Sequence, residues 1–182
     1  MNNKEKVLLH KGMDKIRQAR FEEALEIFER VLASNQAIPE AWNNNGVAHY
    51  SLGHLDEAMN CYNRCLALDP ENLDALRNKA FLLRSQRKLD EALEVYDMVL
   101  QKGGDSIDME ATAVVLTGLG KLDEALNCLY LALEKMPMDR LEDEIAAVKA
   151  LMEERGMPIP GERVSPANAP VNAPGNDGGV GP

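Results

Sequence analysis

The chain has 182 residues, 45% hydrophobic and only 4% aromatic, with a formal net charge of −10. That length suffices for one domain with a sizeable core, and a composition led by small and straight-chain apolar residues favours helices. The acid excess excludes a general binder of phosphate backbones, which relies on Lys and Arg. It equally disfavours an anionic membrane surface, so neither nucleic acid nor membrane is expected among the partners.

The opening MNNKEKVLLHKGMDK holds no apolar stretch of signal-peptide length. No run approaches the ~18 apolar residues of a membrane span. Cys61, Cys65 and Cys128 make neither a disulfide framework nor a zinc quartet, so the cytoplasm is the expected location.

A first helix is predicted over about 4–17, followed by the turn Gln18-Ala19-Arg20. Phe21-Glu22-Glu23-Ala24-Leu25 then opens a second helix, its acids in the first turn where the helix dipole favours them. Apolar residues follow at helical spacing: Ala24, Leu25, Phe28, Val31 and Leu32. The same plan returns over 39–52, with Pro39 at a helix start, then Leu52-Gly53-His54, then Leu55-Asp56-Glu57-Ala58-Met59. A third copy runs over 73–86, through Gln86-Arg87-Lys88 into Leu89-Asp90-Glu91-Ala92-Leu93. The fourth runs over 106–118, through Leu119-Gly120-Lys121 into Leu122-Asp123-Glu124-Ala125-Leu126. The alanines of the four copies fall at intervals of 34, 34 and 33 residues. Pro70 and Pro137 close the second helices of their repeats, since proline cannot continue a helix interior.

A helix–turn–helix unit with a period of 34 resembles the tetratricopeptide repeat. The family's marker positions match in detail: the second repeat carries Trp42, Gly46, Ala58, Tyr62, Cys65 and Pro70 at them. The first has Leu8, Gly12, Ala24, Phe28 and Val31, with Gln36 where proline is usual. The third has Leu76, Ala80, Ala92, Tyr96 and Val99, then Gly103-Gly104. The fourth matches at Met109, Ala113, Ala125, Leu129, Ala132 and Pro137 but is one residue short, a deletion assigned to Lys102-Gly103-Gly104-Asp105. The resemblance implies an all-α, right-handed solenoid of four hairpins, at about 5–38, 39–72, 73–105 and 106–139. A helix at 139–155 with Leu141, Ile145, Val148 and Met152 on one face is expected to cap the last repeat. The array is thus assigned to 4–156. Six of the nine prolines lie in 157–182, which is expected to be a disordered tail.

Candidate chemistry is sparse. Cys61 and Cys65 are four apart on one predicted helix, but no second Cys/His pair completes a four-ligand zinc site, so buried thiols are expected. His10, His49 and His54 have no Ser or Cys partner in a nucleophile arrangement. Gly118-Leu119-Gly120 is a repeat turn rather than a phosphate loop. Trp42 is expected to pack within its own hairpin. The chain is read as no enzyme, with no metal and no cofactor.

The resemblance implies a concave groove lined by the first helix of each repeat. Its positions carry Lys6, Leu9, His10, Met13 and Arg17, then Asn43, Asn44, Val47 and Tyr50, then Arg77, Asn78, Phe81 and Arg84. Every fixed charge in that set is positive, which points to an acidic peptide. The two-carboxylate clamp of co-chaperone members is not matched: Leu9, Met13, Asn44, Asp74 and Asn78 stand at its positions, and only Asn44 agrees. Asn44 and Asn78, one repeat apart, look instead like a short asparagine ladder holding a peptide backbone. The expected function is a protein-interaction module, an adapter or scaffold that binds an acidic partner segment in the groove as a monomer. The alternative is a structural protein that self-assembles through the ends or a flank of the array.

Overall fold

The computed structural model describes residues 1–160, and nine α-helices with no strand run through them. They are α1 (Asn3–Arg17), α2 (Phe21–Ser34), α3 (Pro39–Ser51), α4 (Leu55–Leu68), α5 (Leu73–Ser85), α6 (Leu89–Gln101), α7 (Ser106–Gly118), α8 (Leu122–Lys135) and α9 (Asp139–Glu154). Each helix packs on the one before it, so the core is a stack rather than a ball. The first helices of successive repeats also touch, α1 with α3 and α3 with α5, which puts them on the tighter side of the stack.

The four hairpin turns share one backbone solution. Ala19, Gly53, Arg87 and Gly120 all take positive φ, at 55°, 79°, 61° and 76°. In each turn the next amide reaches back to a carbonyl inside the first helix: Arg20 to Lys15, His54 to His49, Lys88 to Leu83 and Lys121 to Leu116, at 2.9–3.0 Å. This is the Schellman closure, which satisfies carbonyls left open at a helix end. Glycine suits such a position, whereas Ala19 and Arg87 hold it against the Cβ clash.

Packing inside each hairpin follows a size exchange sixteen residues apart. A Cβ placed on Gly12 would lie 2.5 Å from the Phe28 ring, and one on Gly46 would lie 2.6 Å from the Tyr62 ring. The third and fourth repeats carry Ala80 with Tyr96 and Ala113 with Leu129 in the same places, all buried. The repeated alanines Ala24, Ala58, Ala92 and Ala125 are each 0% exposed, as expected for close helix contacts. Cys61 and Cys65 are buried too, and burial pushes both thiols up to about 11. Trp42 packs against the cluster of Leu9, Ala24, Phe28 and Ala41 and donates its indole N–H to the Gln36 carbonyl at 2.8 Å.

The α9 residues Leu141, Ile145, Val148 and Met152 cover the last repeat, together with Leu126 and Leu129. The loop Lys102-Gly103-Gly104-Asp105 does join the third and fourth repeats tightly, with Gly103 at φ 93° and the Gly104 amide bonded to the Val99 carbonyl at 3.0 Å. One boundary moves. Met157 and Ile159 pack half-buried against the α8–α9 cluster, so the array's packing continues past Gly156. From 161 onward, the expected tail lies outside the described residues. Among the described residues, no helix is long and apolar enough to cross a membrane.

Candidate functional site

Asn72 caps α5, its side chain accepting from the Ala75 amide at 3.0 Å. Arg77, Phe81 and Arg84 then follow at spacings of four and three, which places them on one helical face. Phe81 is 43% exposed. Tyr50 of α3 meets it edge-on, with centroids 5.6 Å apart, and the Arg84 guanidinium lies 4.9 Å from its centroid. Both contacts are of favourable type for an aromatic face. Val47 and Tyr50 lean on the small buried cluster of Ala58, Tyr62 and Leu82 beneath.

Facing α5 is a cavity of about 560 Å³. One wall is Arg77, Asn78, Phe81 and Arg84; the other is α7, with Ile107, Glu110, Ala111 and Val114; Arg140 of α9 closes one side. Ile107 and Val114 are 56% and 46% exposed and stand two turns apart on one face of α7. With Phe81 they give the cavity an apolar lining open to solvent.

The charge of this site differs from the sequence expectation. Asp105 caps α7 and forms a capping box with Asp108. Arg77 reaches across and grips Asp108 with two N–H groups, Nε to Oδ1 at 2.8 Å and Nη2 to Oδ2 at 2.6 Å. Asp105 and Asp74 lie at 3.3 and 3.7 Å from the same guanidinium. Burial works to raise the Asp108 carboxyl, but the Arg77 hydrogen bonds and the Asp105 amide outweigh it and hold the group below the usual aspartate range. Arg77 is held correspondingly high by its bonds to Asp108. Arg140 pairs with Glu110. The cavity is therefore lined by three arginines and three acids rather than by cations alone. Arg84 makes no ion pair among the described residues, which leaves it as the arginine of this cavity without a partner acid.

The asparagines divide in a way that the repeat spacing did not suggest. Asn78 donates to Asn43 Oδ1 at 2.9 Å, linking α5 to α3, while Asn44 turns back to the Glu40 carbonyl at 2.7 Å. Asn43 is buried. His10 and Arg17 lie on α1 with local partners only, the Lys6 carbonyl and Asp14. Neither lines the cavity. Leu9, counted among the groove positions, is a core residue, 5% exposed.

The α7 wall was missed in the sequence, although the signal was present. Glu110, Ala111 and Val114 stand 33 residues after Arg77, Asn78 and Phe81, one shortened repeat later. Arg140 had no such signal, because it belongs to the capping helix rather than to a repeat.

Comparison with known proteins agrees with this architecture. Two tetratricopeptide repeat family models match, one over residues 39–72 and one over 61–94. The first coincides with the second hairpin; the second begins midway through α4 and ends in α6, so it reads the same repeat in a shifted frame. No curated protein sequence matches. Among solved structures, MamA (41 to the end) from Desulfovibrio magneticus RS-1 is similar, with 19% identity over 86% of this chain and 89% of that one and a TM-score of 0.77. A second MamA crystal structure shares 23% identity over 73% of this chain and 78% of that one, with a TM-score of 0.69. MamA MSR-1 shares 21% over 85% and 90%, with a TM-score of 0.70. At such identities the likeness is one of fold. With both family models falling on the second and third of four like hairpins, residues 39–94 are tetratricopeptide repeats within an all-α solenoid.

Proposed function

We propose that this array is a non-catalytic cytoplasmic adapter that binds an extended segment of another protein in the cavity between α5 and α7. The observation that carries this reading is the exposed apolar strip of Phe81, Ile107 and Val114 beside the Arg84 guanidinium. An apolar strip gives contact area, and an arginine without a partner acid gives a fixed point for one ligand carboxylate. The ligand is acidic in this narrow sense, one acid among apolar residues, since Arg77 and Arg140 already have their acids. Asn78 lines the α5 wall and offers its amide to the ligand backbone while the buried Asn43 holds it in place, with Asn44, Val47 and Tyr50 extending the surface along α3. His10 and Arg17 would be reached only by a ligand long enough to continue along α1.

The test is fluorescence anisotropy against a library of extended peptides carrying a single Asp or Glu between apolar residues. Phe81→Ala with Arg84→Ala should weaken the best binder at least tenfold, which needs only ~1.4 kcal/mol. The affinity of the unaltered chain should fall as salt rises, because a partly exposed pair is screened. Equal binding by the double variant, without salt dependence, would move the site elsewhere.

A second reading draws on Tyr130, Leu131 and Met136, which are 40–45% exposed in and just after α8. These would serve self-assembly through a flank of the array. Light scattering over a range of concentrations separates the two, since an adapter stays monomeric without its ligand.

A further inference from the structure

His49 lies in the last turn of α3 and His54 is the N-cap of α4, five residues apart. On a continuous helix that separation would turn the two side chains about 140° away from each other. Here the left-handed Gly53, at φ 79°, and the His54 amide bonded to the His49 carbonyl at 3.0 Å fold the chain back. The two imidazoles face each other as a result. Their Nδ1 atoms are 3.4 Å apart, with ring centroids at 5.7 Å and an interplanar angle of 52°.

That distance has a chemical meaning. Two nitrogens bound to one tetrahedral ion at ~2.0–2.1 Å each lie about 3.3–3.4 Å from one another. No other hairpin turn of the array carries this pair: Lys15 and Arg20, Leu83 and Lys88, and Leu116 and Lys121 stand at the equivalent places. The first repeat shows what a third side chain does there. Glu23 accepts hydrogen bonds from both Lys15, at 2.8 Å, and Arg20. Glu57 stands exactly one repeat of 34 after Glu23, in the first turn of α4, so the same backbone position offers a carboxylate to the histidine pair.

We propose that His49 Nδ1 and His54 Nδ1 chelate one divalent late transition-metal ion such as Zn²⁺ or Ni²⁺, with Glu57 turning in as a third, carboxylate ligand. Imidazole nitrogen is the donor such ions favour. Both rings then carry their single proton on Nε2, leaving the two Nδ1 lone pairs for the ion. As the side chains stand, no group of three ligands is assembled among the described residues. The histidine pair therefore supplies the fixed part of the site and Glu57 the part that moves.

The experiment is a calorimetric titration of Zn²⁺ and of Ni²⁺ into the full chain, repeated with His54→Ala, His10→Ala, Cys128→Ser and Glu57→Gln. His54 is exposed and makes no side-chain cap bond, so its replacement leaves the fold intact, and a thermal melt without metal checks this. One ion per chain is expected, with at least a tenfold loss of affinity in His54→Ala, a several-fold loss in Glu57→Gln and none in His10→Ala or Cys128→Ser. A metal-induced rise in melting temperature, absent from His54→Ala, reads the same event independently. Unsaturable binding by the unaltered chain, or full affinity in His54→Ala, overturns the site. A loss in Cys128→Ser overturns it as well by assigning the ion to a thiol, and unchanged affinity in Glu57→Gln removes the carboxylate.

Discussion

Replacing Arg77 with Ala measures what this residue does for folding. Its guanidinium is about a third exposed, but the carboxylate that it grips, Asp108, is only 5% exposed. Removing one partner of a fully buried pair costs about 3–5 kcal/mol, because the other charge is left stranded. A wholly exposed pair contributes below about 1 kcal/mol. Water can follow a truncated Arg77 into the cavity, and Asp108 keeps the Asp105 amide at 2.9 Å, so the expected loss lies between these limits, at about 2 kcal/mol. For a chain of this size that corresponds to a melting point lower by roughly 4–8 °C. Arg84→Ala, which breaks no ion pair among the described residues, should change stability by no more than about 0.5 kcal/mol. The pH dependence has a definite sign. Asp108 is depressed in the folded chain, so its contribution is complete above the unfolded aspartate value of about 4 and disappears as pH falls through the lower folded value. The gap between the parent chain and Arg77→Ala, measured by thermal melts followed by circular dichroism, should be full at pH 7 and should shrink steadily below pH ~4. Equal melting points for Arg77→Ala and Arg84→Ala at pH 7, or a gap that survives undiminished in acid, would refute the argument.

Other consequences follow from the packing. Gly46→Ala drives a Cβ to 2.6 Å from the buried Tyr62 ring and should destabilise by ~1–3 kcal/mol in chemical denaturation; adding Tyr62→Leu, the pairing used by Ala113 and Leu129, should recover part of the loss. Arg87→Gly relieves a left-handed arginine at φ 61° and should stabilise the chain by about 0.5–1 kcal/mol after the glycine's added unfolded-state entropy, raising the melting point; a lower melting point would mean that the side chain does more than its exposure suggests. Met157→Ala with Ile159→Ala should lower the melting point measurably, since both side chains pack on the α8–α9 cluster; no change would return the boundary of the array to Gly156.

The fold was legible because a repeat states each of its contacts several times. One Ala at a helix contact proves little, but Ala24, Ala58, Ala92 and Ala125 at a constant interval identify the same contact in every hairpin, and all four are fully buried. The turn was legible only in part. Gly53 and Gly120 advertise positive φ, whereas Ala19 and Arg87 do so only by standing at the same repeat position. The packing of Met157 and Ile159 was hidden by the prolines around them: composition averaged over 157–182 is tail-like, and two apolar side chains suffice to carry packing past Gly156.

The candidate site was half legible, for a reason that is physical rather than statistical. Repeat arithmetic fixes which residues share a face, so Arg77, Asn78, Phe81 and Arg84 emerge together and do line one wall. It says nothing about which charges on that face are already neutralised, because neutralisation is a contact between faces of different repeats. Asp108 lies 31 residues from Arg77 and reads in the sequence as an ordinary first-turn acid of α7, favoured by the helix dipole. In the fold that acid caps one helix and anchors the arginine of another, so a helix-capping requirement of α7 reduces the charge of the groove beside it. The same logic isolates Arg84. It sits two turns beyond Arg77 on α5 and keeps an aromatic rather than a carboxylate beside it. In such an array, then, an arginine that lies opposite the N-terminus of the next repeat's helix holds the stack together. One placed farther along the groove, against an exposed ring, keeps a charge that no acid offsets.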